Sequence, residues 1–296
     1  MKTPARMPDM PVRTALVFGA SGQIGEALLA RLDGAAWQVF AVSRTPRVAS
    51  SSIRWLAGEF AGVEGLPAAV DVIFSTGPLD GFAQWYARGL VAAPRVVAFG
   101  STSLDTKQAS GDAYERDIVA RLQAAERLVF DTAEATGAAA TLLRPTLVYG
   151  AGRDQTLARI AAMARRMRFF VLPRGATGKR QPVHVGDLAA AALAVVDASA
   201  THGRAYALPG GEALAYREMM ARTLAALSPP AKLWEVPVPM FKVALSLARM
   251  AGMMRALTDD AVSRMRDDLV FDASPAQRDF GYAPRAFIVD ARAVGS

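Results

Sequence analysis

The chain has 296 residues, of which 52% are hydrophobic and 21% charged, and such a composition is that of a globular protein with a sizeable core. It contains no Cys and two His, which excludes disulfides, thiolate metal sites and a Cys nucleophile and makes a His metal site improbable. The formal net charge of +7 is compatible with anionic ligands, nucleic acid or a membrane surface and chooses none of them.

The first thirteen residues predict a flexible tail. They are rich in Pro and basic residues and lack the apolar core of a signal peptide. No later stretch reaches the roughly 18 uninterrupted apolar residues of a membrane span. Together with the absence of Cys, this pattern favours a cytoplasmic location.

Residues 14–29 predict a buried strand, a glycine turn and an amphipathic helix. The glycines follow G-x-x-G-x-x-G spacing, which lets the backbone approach a diphosphate at the helix N-terminus. An ordinary glycine-rich turn is the alternative, but strand, turn and helix together favour a dinucleotide site. The predicted cofactor-binding residues here are Gly19, Ala20, Ser21, Gly22, Gln23, Ile24 and Gly25.

A second strand is predicted at 37–42, and basic residues follow it. In a dinucleotide fold the end of this strand faces the adenosine ribose, where an acidic residue suits NAD and an Arg suits the 2′-phosphate of NADP. The chain has Ser43, Arg44 and Arg47 and no acid at this point. The pattern therefore favours NADP(H) over NAD(H), with a solvated basic turn as the alternative.

Further strands are predicted at 53–57, 70–74, 95–99 and 139–143, with a long helix at 112–136. Alternating strands and helices predict an α/β fold with a Rossmann-type doubly wound parallel sheet. Ligands of such sheets bind beyond the carboxyl ends of the strands. The residues expected there to contact the cofactor are Glu59, Phe60, Thr76, Gly77, Gly100, Ser101, Arg144 and Pro145.

Beyond residue 150 the alternation loosens, which predicts a second unit. Helices are expected near 155–167, 187–198, 216–227 and 239–257, and short strands near 169–172, 181–185 and 204–208. We therefore divide the chain into a dinucleotide-binding Rossmann domain at 14–150 and a smaller mixed substrate-binding lobe at 151–296. Some segments of that lobe can return to the Rossmann sheet.

Three later motifs accompany the glycine turn: Arg144-Pro145 with Tyr149-Gly150, the segment 180–189, and the segment 279–285 that holds Gly281-Tyr282-Ala283-Pro284. With them the chain resembles the extended and atypical branches of the short-chain dehydrogenase/reductase superfamily, the NAD(P)-dependent epimerase/dehydratase-like proteins. The resemblance runs from residue 14 to residue 287. It implies an NAD(P) cofactor and chemistry that begins with hydride transfer at a hydroxyl or carbonyl carbon.

The resemblance also implies a Ser or Thr after the fifth strand, a Tyr, and a Lys four residues after the Tyr. Thr102 is our candidate for the hydroxyl position, although it could equally cap a turn. Aligning Glu126 with the family's Glu puts Ile118 and Leu122 where Tyr and Lys belong, so the usual pair is missing. Tyr114 is the candidate proton donor, with a surface Tyr at a helix start as the favoured alternative.

Candidate substrate residues are Ser103, Tyr149, Arg180 and His184. A structural role is favoured for His184 over a catalytic one. The sequence is compatible with two functions. The first is an NADP(H)-binding oxidoreductase or epimerase/dehydratase-like enzyme for a small molecule, phosphorylated or nucleotide-linked substrates included. The second is a catalytically silent NADP(H)-binding protein with a regulatory or assembly role.

Two surface segments carry a weaker signal. Basic residues at 159–180 fit a solvated helix face better than an anion site, and no regular alternation of aromatic and basic residues indicates nucleic-acid binding. The Met-rich segment 239–257 fits a pocket lid or core helix better than an interfacial membrane helix. No oligomeric state is predicted.

Overall fold

The computed structural model describes residues 12–34, 36–45, 47–106, 112–154, 156–250, 265–290 and 293–295. The strands are β1 (Arg13–Phe18), β2 (Trp37–Ser43), β3 (Ile53–Glu59), β4 (Gly62–Val63), β5 (Val72–Ser75), β6 (Arg95–Phe99), β7 (Ala139–Pro145), β8 (Val148–Tyr149), β9 (Phe169–Pro173), β10 (Lys179–Arg180), β11 (Val183–His184), β12 (Arg204–Leu208), β13 (Leu214–Ala215) and β14 (Lys232–Val236).

The helices are α1 (Gln23–Leu32), α2 (Leu79–Tyr86), α3 (Ser103–Thr106), α4 (Ala113–Thr136), α5 (Leu157–Met167), α6 (Val185–Ala194), α7 (Tyr216–Ala225), α8 (Val238–Met250) and α9 (Ser274–Phe280). None of the helices in the described part of the chain is long and apolar enough to span a membrane.

Eight strands form one sheet in the order β12-β7-β6-β5-β1-β2-β3-β4, and every pair except β3 with β4 is parallel. The predicted Rossmann-type parallel sheet is therefore confirmed. The strand order reverses between β1 and β5, and a crevice opens at the carboxyl ends of strands at such a switch point. The glycine turn follows β1 and Thr76 follows β5, so both lie at this crevice.

The apolar sequence of β1 is explained by helices on both faces of the sheet. Ala15 and Val17 pack into a core with α1 and α6, whereas Leu16 and Phe18 pack into the opposite core with α2 and α4. Successive strand residues point to opposite faces, so a strand covered on both sides needs a continuous apolar run. This burial fixes the direction in which β1 delivers the chain to the glycine turn.

The later half of the chain contributes to both units. Strand β12 pairs with β7 at the sheet edge, and α6 packs against α1. The other segments form a separate core around Leu157, Phe170 and Met219, with small sheets of β9 with β14 and β10 with β13. Of the predicted tail, residues 1–11 lie outside the described residues and Arg13 begins β1; of the predicted 239–257 helix, residues 251–257 also lie outside them.

Candidate functional site

The glycine turn after β1 brings backbone segments closer than any side chain allows. Gly19 has φ +69°, and a Cβ there would lie 2.7 Å from the backbone nitrogen of Gly77. A Cβ on Gly25 would lie 2.2 Å from the carbonyl oxygen of Gly19. Since real Cβ atoms do not approach backbone this closely, both positions require glycine.

The first turn of α1 opens onto this glycine turn. Its N-cap is Gly22, and no side chain caps the helix among the described residues. The N–H groups at such an end, which begins at Gln23, remain available to an anion. Ala20 and Ile24 are buried and hold the helix on the sheet. The geometry fits the diphosphate of a dinucleotide.

A cavity of about 410 Å³ lies at the turn, and we call it the glycine-turn cavity. It is lined from the carboxyl ends of β1, β2, β3 and β5. The predicted cofactor residues that the structure brings together on its wall are Gly19, Ser21, Gly22, Ser43, Arg44, Glu59, Phe60, Thr76 and Gly77. Their convergence follows from parallel strands ending at one edge of the sheet.

Two hydroxyls and a guanidinium stand where β2 ends at this cavity. The Ser43 hydroxyl donates a hydrogen bond of 3.1 Å to that of Ser21 and accepts one of 3.2 Å from the Thr45 backbone. Arg44 is exposed and lines the cavity. Arg47 is placed differently, because it forms a 2.7 Å ion pair with Glu26.

Aromatic side chains form the opposite wall. Phe60 stacks on Phe18 with ring centroids 5.0 Å apart, and Phe18 contacts Trp85 at 4.3 Å. Gly77 and Gly81 lie against the Phe60 ring, where a Cβ would meet it at 3.2 Å and 2.7 Å. The sequence pattern singles out Phe60 alone, since its partners are ordinary apolar residues of β1 and α2.

A second cavity of about 340 Å³, the hydroxyl cavity, lies beyond β6 and β7. Thr102, the predicted catalytic hydroxyl, is buried and donates a 3.1 Å hydrogen bond to the carbonyl oxygen of Pro145. Its wall combines a cation with hydroxyl, amide and apolar groups: Ser101, Thr102, Ser103, Thr106, Pro145, Thr146, Leu147, Thr156, Arg180, Gln181, Leu269 and Phe271.

Arg180 supplies the charge in this cavity. Its side chain is 8% exposed, and one terminal nitrogen donates to the carbonyl oxygens of Lys179 and Asp267, each at 2.7 Å. The guanidinium carbon lies 5.4 Å from the centre of the Tyr216 ring. These contacts fix a permanent positive charge, which attracts an anionic group on a ligand.

Arg144 and Gly100 lie behind the hydroxyl cavity. Arg144 forms a two-pronged ion pair with the buried carboxylate of Glu126, through its ε nitrogen at 2.8 Å and through a terminal nitrogen. The hydrogen bonds that Arg144 donates to Glu126 raise the pKa of Arg144. A Cβ on Gly100 would lie 3.1 Å from the Glu126 carboxylate, so this position favours glycine.

Ile118 and Leu122 lie on α4 at a third cavity of about 300 Å³. Its remaining lining is Pro78, Leu79, Asp80 and Arg121, and Pro78 also lines the glycine-turn cavity. Neither Ile118 nor Leu122 can transfer a proton. Tyr114 lies at the start of α4, is 68% exposed, and lines none of these three cavities.

Tyr149 and His184 pack against each other rather than into the hydroxyl cavity. Tyr149 is buried, its hydroxyl accepts a 3.3 Å hydrogen bond from the Ile288 backbone, and burial raises its pKa. His184 caps α6 by accepting a 3.0 Å hydrogen bond from the Gly186 backbone on Nδ1. Burial and the Arg285 guanidinium lower the His184 pKa.

A larger, open cavity of about 650 Å³ adjoins the hydroxyl cavity, because Gln181 and Phe271 line both. Asp272 and Gln277 add polar groups to its wall. A hydrogen bond from the Ser274 side chain lowers the pKa of Asp272, so this carboxylate is an acceptor at neutral pH. Gly281, Tyr282, Ala283 and Pro284 of the 279–285 motif also line this cavity, which the sequence pattern does not predict.

Parts of the sequence and the fold are similar to those of known proteins. The model of the NAD dependent epimerase/dehydratase family matches residues 120–208. A 2-alkyl-3-oxoalkanoate reductase of Stenotrophomonas maltophilia (strain K279a) is 24% identical over 316 residues, which cover 92% of this chain and 95% of that protein.

Two solved structures share the fold. MoeE5, in complex with UDP-glucuronic acid and NAD, has 18% identity and a TM-score of 0.68, with 95% of this chain and 97% of that chain covered. The UDP-glucuronic acid 4-epimerase of Bacillus cereus, in complex with NAD, has 12% identity and a TM-score of 0.68, with 95% and 94% covered.

Fold and glycine turn thus define a Rossmann-type protein with a dinucleotide-type site at the strand ends. The chain is similar to the NAD dependent epimerase/dehydratase family over residues 120–208, and it shares its fold with the two solved structures.

Proposed function

We propose that the protein is an NADP(H)-dependent oxidoreductase that acts on a hydroxyl or carbonyl group of an anionic small molecule. The observation that carries this proposal is the placement of the hydroxyl cavity beside the glycine-turn cavity, at the same edge of one sheet. A nicotinamide cofactor in the glycine-turn cavity would supply the hydride. Thr102 and its neighbours would orient the reacting oxygen.

The preference for NADP(H) rests on the end of β2. Ser21, Ser43 and Arg44 offer two hydroxyls and a guanidinium to a phosphate, and β2 ends without an acid. Arg pairs with phosphate through charge-assisted hydrogen bonds. Glu59, the last residue of β3, is the acid in the described lining of this cavity.

An anionic substrate is supported by Arg180 and by the relatives. The similar reductase is named for an oxoalkanoate, and MoeE5 forms complexes with UDP-glucuronic acid and UDP-glucose, all of which are anionic. The adjoining 650 Å³ cavity leaves room for a long or nucleotide-linked substrate, and the Asp272 carboxylate there could accept hydrogen bonds from its hydroxyls.

A second candidate, cofactor binding without turnover, is favoured by one observation. In the register that aligns Glu126 with the family's Glu, Ile118 and Leu122 stand where the Tyr and Lys are expected. The described lining of the hydroxyl cavity holds no Asp, Glu, His, Tyr or Lys. A Tyr that transfers the proton, assisted by a nearby cation, raises the rate of such reactions roughly 10²–10⁴-fold. Such a protein would bind NADP(H) in a regulatory or assembly role.

Turnover of NADPH with a panel of anionic carbonyl compounds separates the two candidates. The enzyme proposal predicts that some compound consumes NADPH and that Thr102→Val lowers kcat at least tenfold without changing the NADPH Kd. A buried turn hydroxyl without a catalytic role would leave kcat within a factor of two.

The variant I118Y/L122K is the second arm of this experiment. If the missing relay limits the reaction, the double variant raises kcat by about a hundredfold over the native protein. Tight NADPH binding with no turnover by the native protein on any compound would support the silent candidate and contradict the enzyme proposal.

A further inference from the structure

Helix α8 covers only part of the small sheet formed by β9 and β14. Phe241 and Leu245 pack inward from α8 and contact Val171 and Val236. Val236 is the last residue of β14, and Val171 is the central residue of β9, paired with Trp234. Among the side chains of α8 that the structure describes, Phe241 and Leu245 therefore anchor the helix to this sheet.

A row of large apolar side chains beside this anchor remains exposed. Trp234 is 50% exposed, and its ring stacks on Phe169 at 4.4 Å and 13°. It shares a face of β14 with Val236, because strand residues two apart point the same way. Met240 and Val243, one helical turn apart, are 61% and 62% exposed on α8, away from the Phe241 edge. We call Trp234, Met240 and Val243 the apolar row.

Exposed basic residues flank the apolar row at both ends of the small sheet. Lys232 begins β14 and donates from its backbone to the Arg168 carbonyl at 3.1 Å, while Arg174 donates in the same way to Val236 at 2.8 Å. Lys242 lies on α8 itself. The acid of these strands, Glu235, follows Trp234 on the opposite face and pairs with Arg217. This surface is apolar in the middle and positive around it.

We infer that this surface docks the protein onto a bilayer that contains anionic phospholipids. Exposed aliphatic and indole side chains enter the boundary between headgroups and acyl chains, and surrounding Lys and Arg pair with lipid phosphates. A nucleic acid would use the positive charge but would leave Met240 and Val243 in water. A bilayer surface satisfies both the charge and the apolar row.

The test is co-sedimentation of the full chain with vesicles of phosphatidylcholine alone or mixed with phosphatidylglycerol. We expect binding to the mixed vesicles, weaker binding at high salt, and little binding to phosphatidylcholine. Val243→Asp should lower the vesicle partition coefficient about tenfold, because a charge replaces an exposed aliphatic group that would insert into the bilayer. Val48→Asp, at a 94% exposed position between β2 and β3, is the matched control and should bind like the native chain.

Arg168→Gly is a second test variant. A loss of vesicle binding in this variant cannot come from unfolding, because glycine suits the left-handed backbone at this position. Removal of one basic residue near the lipid should lower the partition coefficient about fivefold. NADPH binding by each variant reports that the fold is intact. Equal partition of native and Val243→Asp protein, or no binding to either vesicle, would overturn the inference. So would a concentration-dependent dimer, or a nucleic-acid complex, that Val243→Asp disrupts.

Discussion

Arg168 ends α5 in a left-handed backbone conformation, at φ +68°. Among the described residues it is the one non-glycine residue with a positive φ. Glycine is the residue usually found at such helix ends, because a Cβ crowds the backbone there. The Arg168 side chain adds a positive charge at the end of the small sheet where Lys232 begins β14.

Arg168→Gly should therefore raise the free energy of unfolding by about 0.5 to 1 kcal/mol. This value is the relief of backbone strain minus the cost of glycine's greater flexibility in the unfolded chain. Arg166→Gly, inside the last turn of α5, should lower it by about 1 kcal/mol. Urea denaturation of the two variants checks the pair. Equal destabilisation by both would show that Arg168 is not strained.

His184 should make stability fall in mild acid. Its folded pKa is below the ordinary 6.5, chiefly because of burial, so the unfolded chain takes up a proton at a higher pH than the folded chain does. Stability is then lost as the pH falls through 6.5. His184→Asn keeps an acceptor for the Gly186 backbone and removes the titration.

The measurement is the midpoint of thermal unfolding between pH 7.5 and pH 5.5. The native midpoint should decline toward low pH, and His184→Asn should show a shallower decline. His202 titrates with the same sign, because burial lowers its pKa as well, so the decline is reduced rather than abolished. Identical slopes for both proteins would refute this account.

At the scale of elements, the ion pair of Glu126 with Arg144 fastens α4 to β7. Glu126 is 6% exposed and its carboxylate meets the guanidinium through two hydrogen bonds. Glu126→Ala leaves a half-buried guanidinium without this partner, which should lower the free energy of unfolding by about 3 kcal/mol. Glu134→Ala, an exposed position on the same helix, should change it by less than about 0.5 kcal/mol. Similar losses for both would mean that the pair adds no net stability.

Long elements with a clear apolar period were predictable from sequence. The strands at 95–99 and 139–143 and the helix at 112–136 have bounds within two residues of those in the structure. Helix α2 was not predicted, because it is short and starts after Pro78 without a side-chain cap. Strand β12 was predicted, but its place beside β7 depends on a long-range pairing that no local pattern encodes.

The residues of the candidate site also fall into those that the sequence predicts and those that it does not. Gly19 and Gly25 carry a local signal, since their spacing follows from the turn that the backbone must make. Contacts between residues that are far apart in the chain produce no such local sequence pattern. The stacking of Phe60 on Phe18, the burial of Arg180 against Tyr216, and the 650 Å³ cavity became visible only in three dimensions.

For the whole molecule, the strand order determines where chemistry can occur. The reversal between β1 and β5 opens the crevice for the cofactor, and the ends of β6 and β7 carry the hydroxyl cavity beside it. The later half of the chain completes that cavity with Arg180, Leu269 and Phe271. A change in this later half can therefore alter the hydroxyl cavity while the glycine turn stays intact.

The central claim, an NADP(H) site in the glycine-turn cavity, is tested most directly by fluorescence titration with NADPH and NADH. The native protein should bind NADPH at least tenfold more tightly than NADH, because Arg44 and the Ser21–Ser43 pair meet the 2′-phosphate. Arg44→Ala should remove most of this preference, and Arg44→Asp should reverse it. Equal affinity of the native protein for both cofactors, or a preference that Arg44→Asp leaves unchanged, would contradict the assignment.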